Sequence, residues 1–172
     1  QLLVATDEGL YRVNAGYPSN SVTSKIIGSN IPSGSAVTSI EKGPGGKVWM
    51  GTDQGLYEYD GQSVSFSEYN RELFSTRINC LFLDAQARLW IGTDNGFHFF
   101  SAQESGFRNE ETGLIHNEVQ EIIQDKNHRI WIATLGGLAC ISDIYQDFDE
   151  EEGLMNLQVQ SLAEDPRGTI WI

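Results

Sequence analysis

Proline is scarce, at 4 in 172 residues, and cysteine scarcer, at 2. Cys80 and Cys140 alone make neither a disulfide framework nor a metal cage. Basic residues are also few. Lys and Arg number 11 against 24 Asp and Glu, a formal net charge of -13. Such a chain repels a phosphate backbone, which argues against nucleic-acid binding. No apolar run approaches the roughly 18–20 residues of a membrane-spanning helix, so this segment is not expected to contact a membrane. A signal-peptide pattern is missing too. The chain starts at Gln1, with no Met and no basic n-region, and reads as a processed chain or a piece cut from a longer one. Finally, no apolar stripe of period 3.6 occurs, which argues against a helical repeat.

Glycine is what the chain has in excess, with 18 residues, alongside 10% aromatic residues. Many tight turns joining short strands fit that balance. At 40% hydrophobic residues the chain can form a core, and wholesale disorder is not expected.

The four tryptophans are evenly placed. Trp49, Trp90, Trp131 and Trp171 stand 41, 41 and 40 residues apart. Around them the sequence recurs: Val48 to Leu56 matches Leu89 to Phe97 and Ile130 to Leu138. Leu3 to Leu10 is an earlier copy with Leu3 in place of Trp, and Thr169 to Ile172 opens a further one. A second motif precedes each Trp in the same register: Val37-Thr38-Ser39-Ile40, Ile78-Asn79-Cys80-Leu81, Val119-Gln120-Glu121-Ile122 and Val159-Gln160-Ser161-Leu162.

Each unit reads as four short antiparallel strands. In one, Ile78 to Leu83 is the first and Arg88 to Gly92 the second. Asp94-Asn95-Gly96 then makes a hairpin, Phe97 to Phe100 is the third strand, and the fourth lies near Phe107. Four strands every ~40–45 residues is the blade period of a β-propeller. The expected fold is therefore all-β, a propeller segment of about four blades within a larger ring. The units run approximately over 1–32 (partial), 37–74, 78–115, 119–155 and 159–172 (partial). Each Trp is expected to fill the gap between neighbouring blades, a burial worth several kcal/mol at ~25 cal/mol per Å².

The stretch Val119 to Asp125 with Ile130-Trp131-Ile132-Ala133-Thr134 and Gly137-Leu138 resembles the two-component regulator propeller repeat. So does Val159 to Asp165 with Gly168 to Ile172. The resemblance covers nearly the whole chain. It implies the periplasmic sensor region of a membrane-bound histidine kinase, often of the hybrid type, and in many members a response to oligosaccharides. The departure is one of extent, since a seven-bladed ring would take about 290 residues at ~41 per blade. The partners implied are an oligosaccharide, the rest of the same kinase chain and a second copy of the chain. A non-enzymatic interaction propeller, and more remotely a propeller enzyme acting on carbohydrate, are the alternatives.

Catalytic chemistry is not evident. His98 falls on a third strand, His116 in a four-to-one loop and His128 in a one-to-two loop, so a shared metal site is not expected. No nucleophile elbow or phosphate loop occurs, and no cofactor is expected. Cys80 and Cys140 read as small core residues. The repeated Thr-Asp-x-Gly reads as turn chemistry rather than a calcium or catalytic site. Abundant carboxylates alone are not a glycosidase pair, and a solvated acidic rim is the plainer reading.

Ligand contact is expected where the four-to-one loops meet the two-to-three turns, because loops carry recognition while strands hold the frame. Residues at matching loop positions differ between units. Arg77, whose equivalents are Ala36, Glu118 and Gln158, is the most pointed case, with pairing to Glu118 as the plain alternative. The candidates are Arg77, His116, Asn117, Asn156 and Gln158, with Asp53 and Asp94 at the rim. Arg77 offers a planar donor fork, and the amides each offer a donor and an acceptor to neutral hydroxyls. Tyr69, Phe74 and Phe107 could stack on a sugar ring or pack against the outer strands.

Overall fold

Short β-forming runs separated by two-residue hairpins and Asp- or Gly-bearing turns fold here as successive antiparallel meanders. The structure, a computed structural model, describes residues 2–6, 9–13, 24–25, 31–32, 34–142 and 144–172. The first sheet contains β1 (Leu2–Thr6), β2 (Gly9–Val13) and β3 (Ser24–Lys25). The second contains β4 (Val37–Lys42), β5 (Val48–Thr52), β6 (Gly55–Tyr59) and β7 (Val64–Phe66). The third contains β8 (Ile78–Leu83), β9 (Leu89–Thr93), β10 (Gly96–Phe100) and β11 (Ser105–Arg108). The fourth contains β12 (Val119–Gln124), β13 (Ile130–Thr134), β14 (Gly137–Ile141) and β15 (Tyr145–Phe148). A last pair, β16 (Ala163–Glu164) and β17 (Ile170–Trp171), follows. The only helices among the described residues are short 3₁₀ turns at Pro44–Gly46, Glu68–Arg71 and Glu110–Thr112. Asp7 and Glu8 of the earliest Thr-Asp-x-Gly copy, and Ser33 of the first loop, lie outside the described residues.

The sheets pack through their first strands, β4 beside β8 and β8 beside β12. Each of these strands carries a β-bulge, with Thr38, Asn79 or Gln120 as the extra residue. A bulge re-aims a side chain. Thr38 Oγ1 donates to Ile78 O on the next sheet at 2.6 Å, and Asn79 Nδ2 donates to Val119 O at 2.9 Å. One residue on, Ser39 Oγ accepts from Leu81 N, and Glu121 accepts from Leu162 N. The inner strands are thus stitched blade to blade.

Three of the four tryptophans fill inter-sheet gaps as expected, whereas Trp171, in the last strand pair, is 62% exposed. Trp49 packs with Ile78, Leu81, Leu89 and Ile91 of the next sheet. Trp90 packs with Val119, Ile122, Ile130 and Ile132, and Trp131 with Val159 and Leu162. Cys80 and Cys140 are free, buried thiols. Burial pushes the Cys80 thiol up to about 12, with the Glu121 charge adding to it.

A recurrent polar staple holds Trp90 and Trp131. Asp84 Oδ2 accepts from Trp90 Nε1 at 2.8 Å and from Arg88 Nε at 2.6 Å. Its Oδ1 accepts from the Gln86 and Arg88 backbone N–H groups, both at 2.9 Å. Asp125 repeats the pattern with Trp131, Arg129 and Asn127. Ala87 and His128 complete these turns at φ 60° and 63°, the left-handed conformation a tight turn demands. The second sheet departs from the pattern. Gly43 replaces the Asp, and Lys47 pairs with Glu58 at 2.5 Å instead. Trp49 Nε1 is left buried without a hydrogen bond of good geometry.

Candidate functional site

The two-to-three hairpins are fixed by threonine. Thr52, Thr93 and Thr134 are fully buried, and each Oγ1 donates at 2.8 Å to the carbonyl of Gly55, Gly96 or Gly137. Each also accepts from the N–H two residues on, that of Gln54, Asn95 or Gly136. The Asp of Thr-Asp-x-Gly is therefore free of the turn's fixed work. Asp94 is exposed, and Asp53 is half-buried with Oδ1 unpartnered.

Backbone bonds bring these hairpins against the four-to-one loops. Gly96 N donates to Asn117 O at 2.7 Å, Leu135 N to Glu118 O at 3.1 Å and Asp53 N to Ala36 O at 3.4 Å. The two sets of loops thus share one face. Its carboxylates, among them Asp94, Glu110, Glu111, Glu118 and the run Asp149 to Glu152, outnumber its cations, among them Arg71, Arg77 and Arg108. The field there favours neutral or cationic ligands over polyanions.

Three of the four-to-one loops close by a side chain accepting from the N–H two residues on, while the first has Gly34 at the matching position. Ser75 Oγ takes Arg77 N at 3.0 Å, His116 Nδ1 takes Glu118 N at 3.1 Å, and Asn156 Oδ1 takes Gln158 N at 3.0 Å. His116 and Asn156 therefore each hold a loop, with Nε2 and Nδ2 their remaining polar atoms. His116 also lies over Gly136, where an added Cβ would come within 2.6 Å of it. Asn117 clamps the preceding turn: its N–H donates to Glu110 Oε1 and its Oδ1 accepts from Glu110 N, both at 2.8 Å. Arg77 and Gln158 are exposed, and among the described residues Arg77 makes no ion pair with Glu118. Asn156 and Gln158 line one groove, and Asn117 lines another with Asn95, Glu111 and Thr112. The seven candidates are spread along one rim rather than gathered into one pocket.

On the opposite face stand the one-to-two turns with their staples. Burial alone would raise the Asp84 and Asp125 carboxyls. Hydrogen bonds from Trp90 and Arg88, and from Trp131 and Arg129, outweigh it and hold both below the usual carboxylate range. Their acidity is absorbed in structure. The histidines are dispersed, and among the described residues no group of His, Cys, Asp or Glu is placed to hold a metal ion. No helix among these residues is long and apolar enough to cross a membrane.

Comparison with known proteins agrees with this architecture. Residues 72–95 and 113–136 match the family described as two component regulator propeller. No curated protein matches the chain. Among solved structures, the extracellular domain of the hybrid two component system described as BT3049, from B. thetaiotaomicron, superimposes with a TM-score of 0.75 at 21% identity. That alignment covers 98% of this chain and 24% of the other, so this chain spans about a quarter of that relative's length. Virginiamycin B lyase from Staphylococcus aureus superimposes at 0.61 with 12% identity, over 86% of this chain and 54% of its own. At such identities the likeness is one of fold. The chain is a β-propeller segment, and two of its repeats, at residues 72–95 and 113–136, match the two component regulator propeller family.

Proposed function

We propose that this chain is an extracytoplasmic, periplasmic ligand-sensing part of a two-component sensor histidine kinase, of the hybrid type, and that it responds to carbohydrate without catalysing a reaction itself. The observation that carries this reading is the division of labour between the two faces. The one-to-two turns spend their polar groups on Trp staples. The four-to-one face is closed by backbone bonds and leaves Arg77, Asp94 and Gln158 exposed on a rigid frame. A rigid frame with exposed, varied polar groups suits recognition. Neutral hydroxyls are the matching chemistry, since amides donate and accept while the acidic surround disfavours anions.

Two measurements test it. The full reading frame is expected to encode a membrane-spanning helix followed by kinase sequence; an adhesion or anchoring domain in that place overturns the sensor reading. Calorimetric titration of neutral oligosaccharides against the full-length protein is expected to give binding that Arg77→Ala weakens. Turnover of the glycan would assign the chain to carbohydrate-active enzymes instead.

A further inference from the structure

Three aromatic residues lie near the four-to-one segment between the second and third sheets, and the structure separates them. Tyr69 is stacked flat on Phe100, with centroids 4.4 Å apart and planes 8° from parallel, and is absorbed in packing. Phe74 and Phe107 are instead 53% and 45% exposed. They meet edge to face at 4.6 Å and 86°. An edge-to-face pair holds its two rings at a fixed angle.

His98 fixes that pair from below. It is 3% exposed, and Phe107 lies over its ring at 5.7 Å and 29°. His98 Nε2 accepts from Phe74 N at 3.4 Å, anchoring the backbone that carries Phe74. The same site in the neighbouring sheets holds Tyr57 and Ala139, so the arrangement belongs to the third sheet alone. Two concavities meet at the ring pair. One is lined by Arg71, His98 and Ser105, the other by Asn95, Glu111 and Asn117.

Half-exposed rings held rigid from behind and flanked by amides match the two-sided chemistry of a pyranose. Its C–H face is apolar and its rim carries hydroxyls. A dry protein contact would need an apolar surround wider than two rings, and here carboxylate, amide and hydroxyl groups begin at the ring edges. We infer that Phe74 and Phe107 form a stacking platform for one sugar ring of a neutral oligosaccharide, with Asn95 and Asn117 taking hydroxyls beside it. This rests on the carbohydrate reading above and adds a subsite toward the outer strands, with Phe107 on β11. Asn117 joins the platform to the loop face, because its carbonyl holds the Gly96 hairpin.

The experiment titrates cellohexaose, xylohexaose and maltohexaose against the full-length protein. It follows heat and, in a phenylalanine-selectively labelled sample, the ring resonances. At least one oligosaccharide is expected to bind and to shift the Phe74 and Phe107 signals. Phe74→Ala and Phe107→Ala are each expected to weaken binding about tenfold, and Phe74→Trp to retain it, which separates lost stacking from lost fold. Binding unchanged within about twofold in both alanine variants overturns the platform and leaves the carbohydrate reading standing. Absence of binding by all three overturns both. A dimer in sedimentation that Phe74→Ala dissolves makes the ring pair a protein contact and overturns the platform.

Discussion

Asp84→Asn is the substitution whose cost the structure specifies most closely. The carboxylate has no exposed surface and accepts four hydrogen bonds, from Trp90 Nε1, Arg88 Nε and two backbone N–H groups. Asparagine preserves the shape. Its oxygen can keep the two backbone donors, but its amide then points a donor at the donors of Trp90 and Arg88. Arg88 is about a quarter exposed and can turn to water or to Glu104. The Trp90 indole cannot, because it is buried against the fourth sheet. One charge-assisted bond lost and one buried N–H orphaned come to about 2–4 kcal/mol, the lower part applying if the arginine rehydrates fully. Denaturant midpoints would read the loss, and indole N–H exchange at Trp90 would locate it. Acid supplies an independent check. The folded-state pKa of Asp84 is depressed, so its contribution is present above the unfolded value near ~3.9 and fades as pH falls through the folded value. The wild type should therefore lose stability more steeply than Asp84→Asn in that acid range. A variant within about 0.5 kcal/mol of wild type, with its indole N–H still protected, would refute the staple as a stabilising element.

Three further outcomes follow from the same geometry. Gly43→Asp restores the residue found in the other units, yet it should lower the thermal midpoint, because a Cβ there comes within 2.6 Å of the Trp49 ring and Lys47 is already paired with Glu58. Gly96→Ala should cost about 1–3 kcal/mol in chemical denaturation, since φ is 90° and the added methyl would lie 2.2 Å from Arg108 O. His98→Tyr, which copies the second sheet, should flatten the loss of stability on acidification. Burial lowers the His98 pKa to about 4, so between the unfolded value of ~6.5 and that point the unfolded chain binds the extra proton and wild-type stability falls. Identical acid limbs for the two proteins in pH-dependent unfolding would refute this.

The period, the hairpins and the inter-sheet tryptophans were legible because each recurs at a fixed spacing with one residue type. The staple also recurs, as Asp84, Arg88 and Trp90 and again as Asp125, Arg129 and Trp131. It escapes a first reading because Gly43 breaks it in one unit, where Lys47 turns to Glu58 on another strand and the Trp49 indole N–H is left without a partner of good geometry. The loop face was legible from strand order alone. The duties of its residues were not. Ser75, His116 and Asn156 differ in kind, which reads as freedom from the scaffold, yet each accepts the N–H two residues on. Variation among residues that share an acceptor atom is compatible with one structural task. Arg77 differs from them, since among the described residues its side chain makes no ion pair and no hydrogen bond.

The contacts between one-to-two turns carry the same lesson further. Gln124 Oε1 accepts from Ala85 N, the residue after Asp84 in the preceding unit, at 2.9 Å. Glu164 Oε2 accepts from Lys126 N, the residue after Asp125, at 3.0 Å. A side chain just before one staple thus satisfies a backbone donor just after the previous one. Between the second and third sheets the matching positions hold Pro44, which has no N–H, and Leu83, which has no acceptor. Donor and acceptor are absent together. Replacing Leu83 by Gln alone would place an amide opposite a proline with nothing to bind, and replacing Pro44 by Ala alone would expose a donor with no acceptor. Pro44 is exposed, but Leu83 is half-buried and packs against the core of the second and third sheets, so Leu83→Gln alone also loses apolar contact, and only the pair can add a bond. The propeller's opposite face is therefore specified pairwise between units, at a separation of about one repeat. A reading of one unit at a time cannot see that coupling, and aligning each unit against its successor can.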